Sequence, residues 1–377
     1  MSLPDGPVFL IQQAYQGRTD LPEVGKKRVE AGHTAPGLFM DFRALYLEGI
    51  RRDVKAQKPL APLLVGGAQH DTEERTRPLA PWVRRKPPED RTAWDKMVRE
   101  CLEEQRTNLS PNALVIPGVE LSPAGYPGGF ERQIDAIRRA WKKRPAGDPD
   151  WFAHFCLHDD WLKDSSLRRF LLNLLTDLPD SIGIAMHPLF ARRERSTHEP
   201  TLRGLRTLVS VLADDERRVL LVKSGGLGWL SIAWGAWGFT AGRSQGTWVD
   251  SREQFGSQKG KPKPPPLERY FEPQLLHHVL YPDHVRLSKL STHVLCPCPF
   301  CKTLKTQGWS KGLAAQHDLF ALSELTRRVA GMDRPTRREA VRVIVEEAQN
   351  RWAEWKSTTG LSPQTEPRHL ATWRGLV

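Results

Sequence analysis

Three cysteines and one histidine place the strongest constraint on how this chain can fold. Cys296, Cys298 and Cys301 lie within six positions, and His317 follows after fifteen intervening residues, at the head of an apolar run with helical spacing. Three thiolates and one imidazole make a complete tetrahedral Zn²⁺ set, with no coordination position left for water. The pattern therefore predicts a structural zinc site that clamps the late part of the chain. A cluster of reduced cysteines without metal is the alternative.

The other two cysteines, Cys101 and Cys156, stand alone and do not form the framework of a disulfide-rich secreted protein. No apolar run reaches the roughly 18 residues that are needed to span a bilayer. Residues 1–6 lack the basic segment and the apolar core of a signal peptide. Together these features predict a reducing, cytoplasmic setting and no membrane partner.

The zinc pattern carries a resemblance to a known family. A C-x-C-x2-C run followed by a histidine that opens an apolar helix resembles the zinc signature of the tRNA-guanine transglycosylases. Residues 317–322, His-Asp-Leu-Phe-Ala-Leu, resemble that family's His-Asn-Leu helix start, although the spacer before His317 is shorter here. Outside the zinc region the similarity follows the order of elements over residues 36–325.

Members of that family are zinc-bearing (β/α)₈ barrels. They break a base–ribose N-glycosidic bond and insert a modified guanine, and one branch acts on DNA. The resemblance therefore implies a barrel of this kind and chemistry at an N-glycosidic bond in nucleic acid.

Short apolar segments alternate with segments of helical spacing along most of the chain. Such alternation predicts βα units around a parallel sheet. About eight strands favour a closed (β/α)₈ barrel over an open doubly wound sheet. Strands are predicted at residues 7–11, 38–42, 60–67, 113–120, 151–157, 181–187, 218–223 and 236–242. Helices are predicted at residues 44–56, 94–105, 130–143, 167–175, 202–212, 228–235, 319–329 and 336–355.

The predicted organisation has three parts. Residues 1–290 form the barrel with insertions, residues 291–325 form the zinc subdomain, and residues 326–377 form a basic helical tail. Lysine and arginine number 56 against 44 acidic residues, which gives a net charge of +12. Such a balance favours a polyanionic partner, and we expect nucleic acid, DNA in preference to tRNA. An ordinary basic enzyme is the alternative, and a homodimer is compatible with the sequence.

In a barrel of parallel strands, the active site gathers at the carboxyl ends of the strands. Seven polar residues follow predicted strands in this way: Asp41, Glu120, His158, Asp159, Asp160, His187 and Lys223. Each has the alternative of a structural role, and Asp159 and Asp160 in particular could cap the next helix. Their joint placement predicts a functional site at this end of the sheet.

The resemblance assigns roles to some of these positions. Asp41 resembles the aspartate that handles protons beside the scissile bond, although the family's Gly-Gly-Phe/Tyr-Gln continuation is absent. Residues 119–123 resemble the family's Asp-Glu-x-x-Pro run, but Val119 replaces the aspartate that reads the guanine edge. Thr240 stands where the nucleophilic aspartate belongs, and a hydroxyl without an adjacent base is a poor substitute.

Four further residues are predicted to bind substrate or to assist. Gly225 and Gly226 would let a phosphate approach the backbone closely, or would only allow tight packing under nearby tryptophans. Thr240, Arg243 and His187 are the other residues predicted to contact the substrate. His158 and His187 could protonate the leaving base or hold phosphate, and Lys223 could attack the sugar as an amine.

Because the exchange nucleophile is missing, we expect hydrolysis instead of base exchange. Asp41 and Glu120 would stabilise an oxocarbenium-like sugar and orient a water, as in inverting glycoside hydrolysis. Removal of the flipped base would leave an abasic site. Such a reaction would suit defence against viruses that carry altered bases. Base exchange on tRNA or DNA is the alternative within enzymes. A barrel that binds nucleic acid without catalysis is the alternative from another class.

Overall fold

The computed structural model describes residues 8–14, 38–41, 90–109, 113–116, 118, 120–121, 128–189, 198–222, 224–241, 267–358 and 360–377. The strands are β1 Val8–Ala14, β2 Leu38–Asp41, β3 Ala113–Ile116, β4 Glu120–Leu121, β5 Asp150–His158, β6 Gly183–Leu189, β7 Val219–Leu221, β8 Gly238–Ala241, β9 Arg269–Glu272 and β10 His277–Leu280. The helices are α1 Arg91–Leu109, α2 Gly129–Trp141, α3 Asp160–Lys163, α4 Ser165–Thr176, α5 Glu199–Asp214, α6 Gly225–Ser231, α7 Tyr281–Leu287, α8 Pro299–Gln307, α9 Lys311–Arg327, α10 Arg334–Trp355 and α11 His369–Arg374.

Strands β1 to β8 form one sheet with the order β2-β1-β8-β7-β6-β5, and both β3 and β4 pair with β5. Every pairing in this sheet is parallel. The predicted mixed α/β fold with a parallel sheet is therefore confirmed. The eight-stranded barrel stays a prediction, because no pairing among the described strands joins β2 to β3 or β4. The predicted strand at 60–67 and the predicted helix at 44–56 lie outside the described residues.

The two faces of β5 have different neighbours. On one face, Trp151 packs edge-on against Trp141 of α2, with ring centroids 5.2 Å apart, and Phe155 lies 6.0 Å from Phe130 of the same helix. Because side chains alternate along a strand, Phe152, His154, Cys156 and His158 occupy the other face. The helix layer thus covers one side of the sheet and leaves the polar members of β5 on the opposite side.

The segment predicted as a single strand at 113–120 is instead two short strands, β3 and β4. This stretch contains Pro117, and proline cannot donate a hydrogen bond to the sheet ladder. The side chain of Gln105 in α1 completes β3: its Nε2 donates to the carbonyl of Val115 at 2.7 Å, and its Oε1 accepts from the amide of Val115 at 2.8 Å. Gln105 therefore takes the place of a neighbouring strand at Val115.

The C-terminal part begins with the antiparallel hairpin of β9 and β10. It has a hydrophobic cluster of its own, formed by Tyr270, Leu275, Val279, Leu287, Leu304 and Trp355. Helices α9 and α10 also reach the main core through Leu322, Leu325, Val341 and Val345. The indole Nε1 of Trp234 donates to the carbonyl of Leu376 at 2.9 Å, so the tail after residue 326 packs on the sheet domain.

The predicted helices at 319–329 and 336–355 are present as α9 and α10. Helix α9 starts at Lys311, so the prediction that His317 stands at the head of its helix is wrong, and His317 lies almost two turns inside. The predicted boundaries at residues 290 and 325 stay predictions. In the described parts of the chain, no helix has the length and apolar character to cross a membrane.

Candidate functional site

The four predicted metal ligands converge on one point. Cys298 is the N-cap of α8, and its sulfur accepts a hydrogen bond from the amide of Cys301 at 3.3 Å. Nδ1 of His317 lies 3.7 Å from the sulfur of Cys296, 3.4 Å from that of Cys298 and 3.2 Å from that of Cys301. The four ligand atoms all lie within 4.8 Å of one another. They are therefore close enough to bind one metal ion.

The separations fit a tetrahedral centre. Zinc–sulfur bonds near 2.3 Å and zinc–nitrogen bonds near 2.0 Å place tetrahedral ligand atoms about 3.5 to 3.8 Å apart. A hydrogen bond with Cys301 lowers the pKa of the Cys296 thiol to about 4, so the cluster already favours a thiolate. Burial lowers the pKa of His317, but its hydrogen bonds with Cys296 and Cys298 raise it to about 10. A bound metal ion would supply positive charge to these thiolates and would take the unprotonated Nδ1 of His317.

Strand β9 holds the histidine of this cluster in place. Nε2 of His317 donates to the carbonyl oxygen of Phe271 at 2.7 Å, which leaves Nδ1 directed at the sulfurs. A second nitrogen fixed in this way is typical of metal-binding histidines. The ring of Tyr270 stacks on that of His317 at 4.2 Å, and its hydroxyl lies 3.1 Å from the sulfur of Cys301.

A second group of polar residues occupies the face of the sheet that is turned away from α2. Cys156 of β5 is in register with Glu120 of β4 on one side and with His187 of β6 on the other. The ligand-type atoms of His154, Cys156 and His187 lie within 4.8 Å of one another, and all three residues are buried. The rings of His154 and His187 are stacked, with centroids 6.0 Å apart.

Glu120 and His187 of this row were predicted from the sequence as site residues, whereas His154 and Cys156 were not. The signal for the missing two was present, because His154, Cys156 and His158 alternate along one strand and must share a face. Gly118 approaches this row from the neighbouring edge, since a Cβ there would lie 2.8 Å from the carbonyl carbon of His154.

His158 ends β5 and is held by acidic residues. Its Nδ1 lies 2.9 Å from Oδ1 of Asp159 and 3.1 Å from Oδ2 of Asp160, and Nζ of Lys163 contacts the other oxygen of Asp159. The side chain of Asp159 makes no capping hydrogen bond to α3. The capping alternative therefore does not describe Asp159, whose carboxylate joins a histidine to a lysine.

The remaining predicted residues are spread along the sheet. Asp41 ends β2 at one edge of the described sheet, while Glu120 lies in β4 at the other edge. Thr240 of β8 is buried and is in register with Leu10 of β1. Lys223 and Arg243 lie outside the described residues.

Gly225 and Gly226 begin α6, and Gly225 has a positive φ of 48°. A Cβ at Gly226 would lie 3.2 Å from the ring of Trp373. This contact fits the packing alternative for Gly226.

Comparison of the chain with protein-family models, with curated proteins and with solved structures finds no match in any of the three.

Proposed function

We propose that this chain is a zinc-containing (β/α)₈ barrel enzyme that removes a modified nucleobase from nucleic acid, DNA in preference to tRNA. The observation that carries the proposal is the row of Glu120, Cys156 and His187 in register across three parallel strands. His158 lies two residues beyond Cys156, at the carboxyl end of β5. Active sites of parallel barrels form at this end of the strands.

The pairing of β1 with β8 supports a barrel, because the first and the last strands of the parallel series are neighbours. In a closed barrel, β4 and not β3 would pair with the next strand, because Gln105 already occupies the free edge of β3 at Val115. Along the path through β4 the described strands are seven, in the order β2, β1, β8, β7, β6, β5 and β4, so one further strand between β2 and β4 would complete eight.

In such a closed barrel, Asp41 and Glu120 would stand two strands apart, which is about 10 Å between backbones. Inverting glycoside hydrolases hold their two carboxyl groups about 6.5 to 9.5 Å apart, so that a water fits on the far side of the sugar. A backbone separation of about 10 Å is compatible with such a gap between the two carboxyl groups, and with it direct hydrolysis by water. One carboxylate would orient the water while the other stabilises the positive charge that develops on the sugar.

His158 is suited to proton transfer to the leaving base. Its Nδ1 lies within ion-pair distance of Asp159 and Asp160, and an imidazole beside carboxylates is a common general acid. Protonation of the base as the glycosidic bond breaks would let the base depart as a neutral molecule, while the water adds to the sugar and loses a proton to the carboxylate. The product is a free base and an abasic site.

Clustered arginines support a polyanionic partner. Burial lowers the pKa of Arg206 of α5, and the charges of Arg338 of α10 and Arg203 of α5 lower it further. Arg203 is paired with Glu199, but the like charges of Arg206 and Arg338 also lie close together, and a phosphate backbone would relieve their repulsion. The net charge of the whole chain, +12, is also positive and favours the same polyanionic partner.

We assign the Cys₃His cluster to Zn²⁺ in a structural role. Three thiolates and an imidazole select zinc over the harder ions, and all four ligands come from the protein. The four residues Cys296, Cys298, Cys301 and His317 would hold the ion, which clamps α8 and α9 onto β9. Base removal itself would depend on residues of the sheet.

The test is mass spectrometry of small molecules released from viral DNA with modified bases, unmodified DNA and tRNA. The DNA reactions would then be treated with alkali. Release of a free base together with alkali-labile breaks is the expected result, and His158→Gln should abolish release while nucleic-acid binding persists.

Release that needs a second, incoming base and leaves no breaks would overturn hydrolysis in favour of base exchange. Binding without any release from the three substrates would overturn catalysis in favour of a nucleic-acid-binding protein. The control variant for His158→Gln is Lys142→Gln, which removes an exposed charge next to the C-terminal end of α2.

A further inference from the structure

A second set of ligand-type side chains lies beside the Cys₃His cluster. Glu272 is the last residue of β9, His284 belongs to α7, and His293 precedes Cys296 by three residues. Oε2 of Glu272 lies 3.0 Å from Nδ1 of His284 and 3.0 Å from Nε2 of His293. The side chains of Glu272 and His293 are almost wholly buried, at 2% and 1% exposure.

One short strand serves both clusters. In β9, Phe271 accepts the hydrogen bond from His317, and the next residue, Glu272, faces the two other histidines. Tyr270 lies between the clusters, because its ring stacks on His317 at 4.2 Å and on His284 at 3.7 Å. The second set is therefore built into the same rigid part of the fold as the first.

The carboxylate of Glu272 has no fixed cation in the described part of the chain. Its ion-pair partners there are the two histidines, and neither a lysine nor an arginine contacts it. Burial raises the pKa of Glu272, but the hydrogen bonds with His284 and His293 lower it to about 2. A buried negative charge of this kind needs a positive charge close to it.

The position of the two rings indicates where that charge would lie. Both histidines direct a ring nitrogen at the same oxygen, while the other oxygen, Oε1, is approached by the amide and the side chain of Gln274 at 3.4 Å. The three ligand atoms lie within 4.8 Å of one another, as binding to one ion requires. Nδ1 of His293 is buried and makes no hydrogen bond to any described residue. Hydrogen bonds within the described part of the chain therefore satisfy only one of the two ring nitrogens.

We propose that Glu272, His284 and His293 bind a divalent transition-metal ion, such as Zn²⁺, at a site separate from the Cys₃His cluster. Two imidazoles and one carboxylate form an N₂O set that is typical of zinc and iron(II) sites with an open position. Nδ1 of His284 and Nε2 of His293 would bind the ion as unprotonated nitrogens. The fourth position would be taken by water or by an external ligand.

The test is the metal stoichiometry of the full chain, measured by mass spectrometry of the metal after saturation with Zn²⁺ and gel filtration. Two equivalents per chain are expected. Glu272→Gln and His293→Gln should each reduce the content to one. His278→Gln is the matched control, because His278 lies on the same hairpin and contacts Asp318 instead; it should keep two equivalents.

Titration of the metal-free chain with Co²⁺ distinguishes the two sites. The Cys₃His cluster should produce thiolate-to-cobalt charge-transfer absorption, and a second equivalent should bind with no further growth of that absorption. Saturation at one equivalent, or two equivalents retained in Glu272→Gln, would overturn the proposal. Circular dichroism checks the fold, and His284→Gln, at a more exposed position, replaces any variant that does not fold.

Discussion

Nε2 of His317 and the carbonyl oxygen of Phe271 are joined by a hydrogen bond of 2.7 Å. This bond connects α9 to β9 and determines which nitrogen of His317 faces the sulfurs. It also means that the Cys₃His cluster is not self-contained, since the orientation of His317 depends on a hairpin that precedes the cluster in the chain. Removal of a bound metal should therefore alter the structure of β9 as well as that of α8 and α9.

Cys298→Ser is expected to remove the metal from the Cys₃His cluster and to lower the free energy of unfolding by about 4 kcal/mol or more. Cys298 is buried at the N-terminus of α8, where its sulfur also accepts the amide of Cys301. Metal content and urea denaturation of the full chain are the measurements. Cys101→Ala, a change at a buried cysteine of α1, should leave the metal content unaltered. Equal stability of Cys298→Ser and the parent would contradict a structural metal.

Tyr270→Phe is expected to weaken metal binding about 10-fold or more, because the hydroxyl lies 3.1 Å from the sulfur of Cys301 and supports the ligand. The ring, and with it the stacking on His317, remains. Competition with a chromophoric chelator measures the affinity. Tyr281→Phe is the control, since it removes a hydroxyl that donates to the carbonyl of Leu304 in the same region. If both variants bind the metal equally well, the hydroxyl of Tyr270 has no part in binding.

Gly204→Ala is expected to destabilise the protein by about 2 kcal/mol or more, although alanine is the better helix former by about 1 kcal/mol. A Cβ at Gly204 of α5 would lie 2.7 Å from the carbonyl carbon of Leu162 and would overlap its oxygen. Gly312→Ala in α9 is the opposite case, because the nearest atom to the new Cβ would be 3.9 Å away. Thermal unfolding should therefore give a lower midpoint for the first variant and an equal or higher one for the second.

Asp148→Asn is expected to cost about 1 to 3 kcal/mol at neutral pH, because Asp148 accepts two hydrogen bonds from the guanidinium of Arg106, at 2.9 and 2.6 Å. Burial raises the pKa of Asp148, but Arg106 and then Trp151 lower it below its usual 3.8. A lowered pKa in the folded state stabilises the protein above the usual pKa. That contribution disappears as the pH falls through the folded-state pKa.

The difference in unfolding free energy between Asp148→Asn and the parent should consequently shrink in acid. Urea denaturation over a pH series measures it. Asp135→Asn, at an exposed position of α2, should differ little from the parent at any pH. A difference that stays constant on acidification would exclude the ion pair as its cause.

Glu120→Gln tests the proposed chemistry at the row of Glu120, Cys156 and His187. It should reduce base release about 100-fold or more, because an amide cannot accept a proton from water. Nucleic-acid affinity, measured by fluorescence anisotropy, should stay the same. Glu103→Gln, at an exposed position of α1, serves as the control. Unchanged release in Glu120→Gln would remove this carboxylate from the mechanism.

Local patterns in the sequence were sufficient for most of the fold. Residues 151–157 carry a strand pattern and residues 202–212 carry a helix pattern, and they are found as β5 and α5, respectively. The convergence of Cys296, Cys298, Cys301 and His317 was also readable, because three of the four lie within six positions. In contrast, the contacts of Gln105 with Val115 and of Gly118 with His154 join residues that are distant along the chain, and sequence spacing does not contain them.

The set of Glu272, His284 and His293 could not be predicted for a similar reason. Its members come from a strand, a helix and a connecting segment, and they share no regular spacing. Only the packing of α7 against the hairpin of β9 and β10 brings them together. The row at Cys156 is intermediate, because its alternation along β5 is local while its register with Glu120 and His187 is not.

The position of β1 between β2 and β8 has a consequence for synthesis of the protein. During translation, β1 leaves the ribosome long before its partner β8, so one edge of an apolar strand stays unpaired while most of the sheet domain is being made. Contacts between segments so distant along a chain form slowly, and exposed strand edges promote aggregation. Yield of the native protein should therefore depend on chaperones and on the rate of translation more than on its final stability.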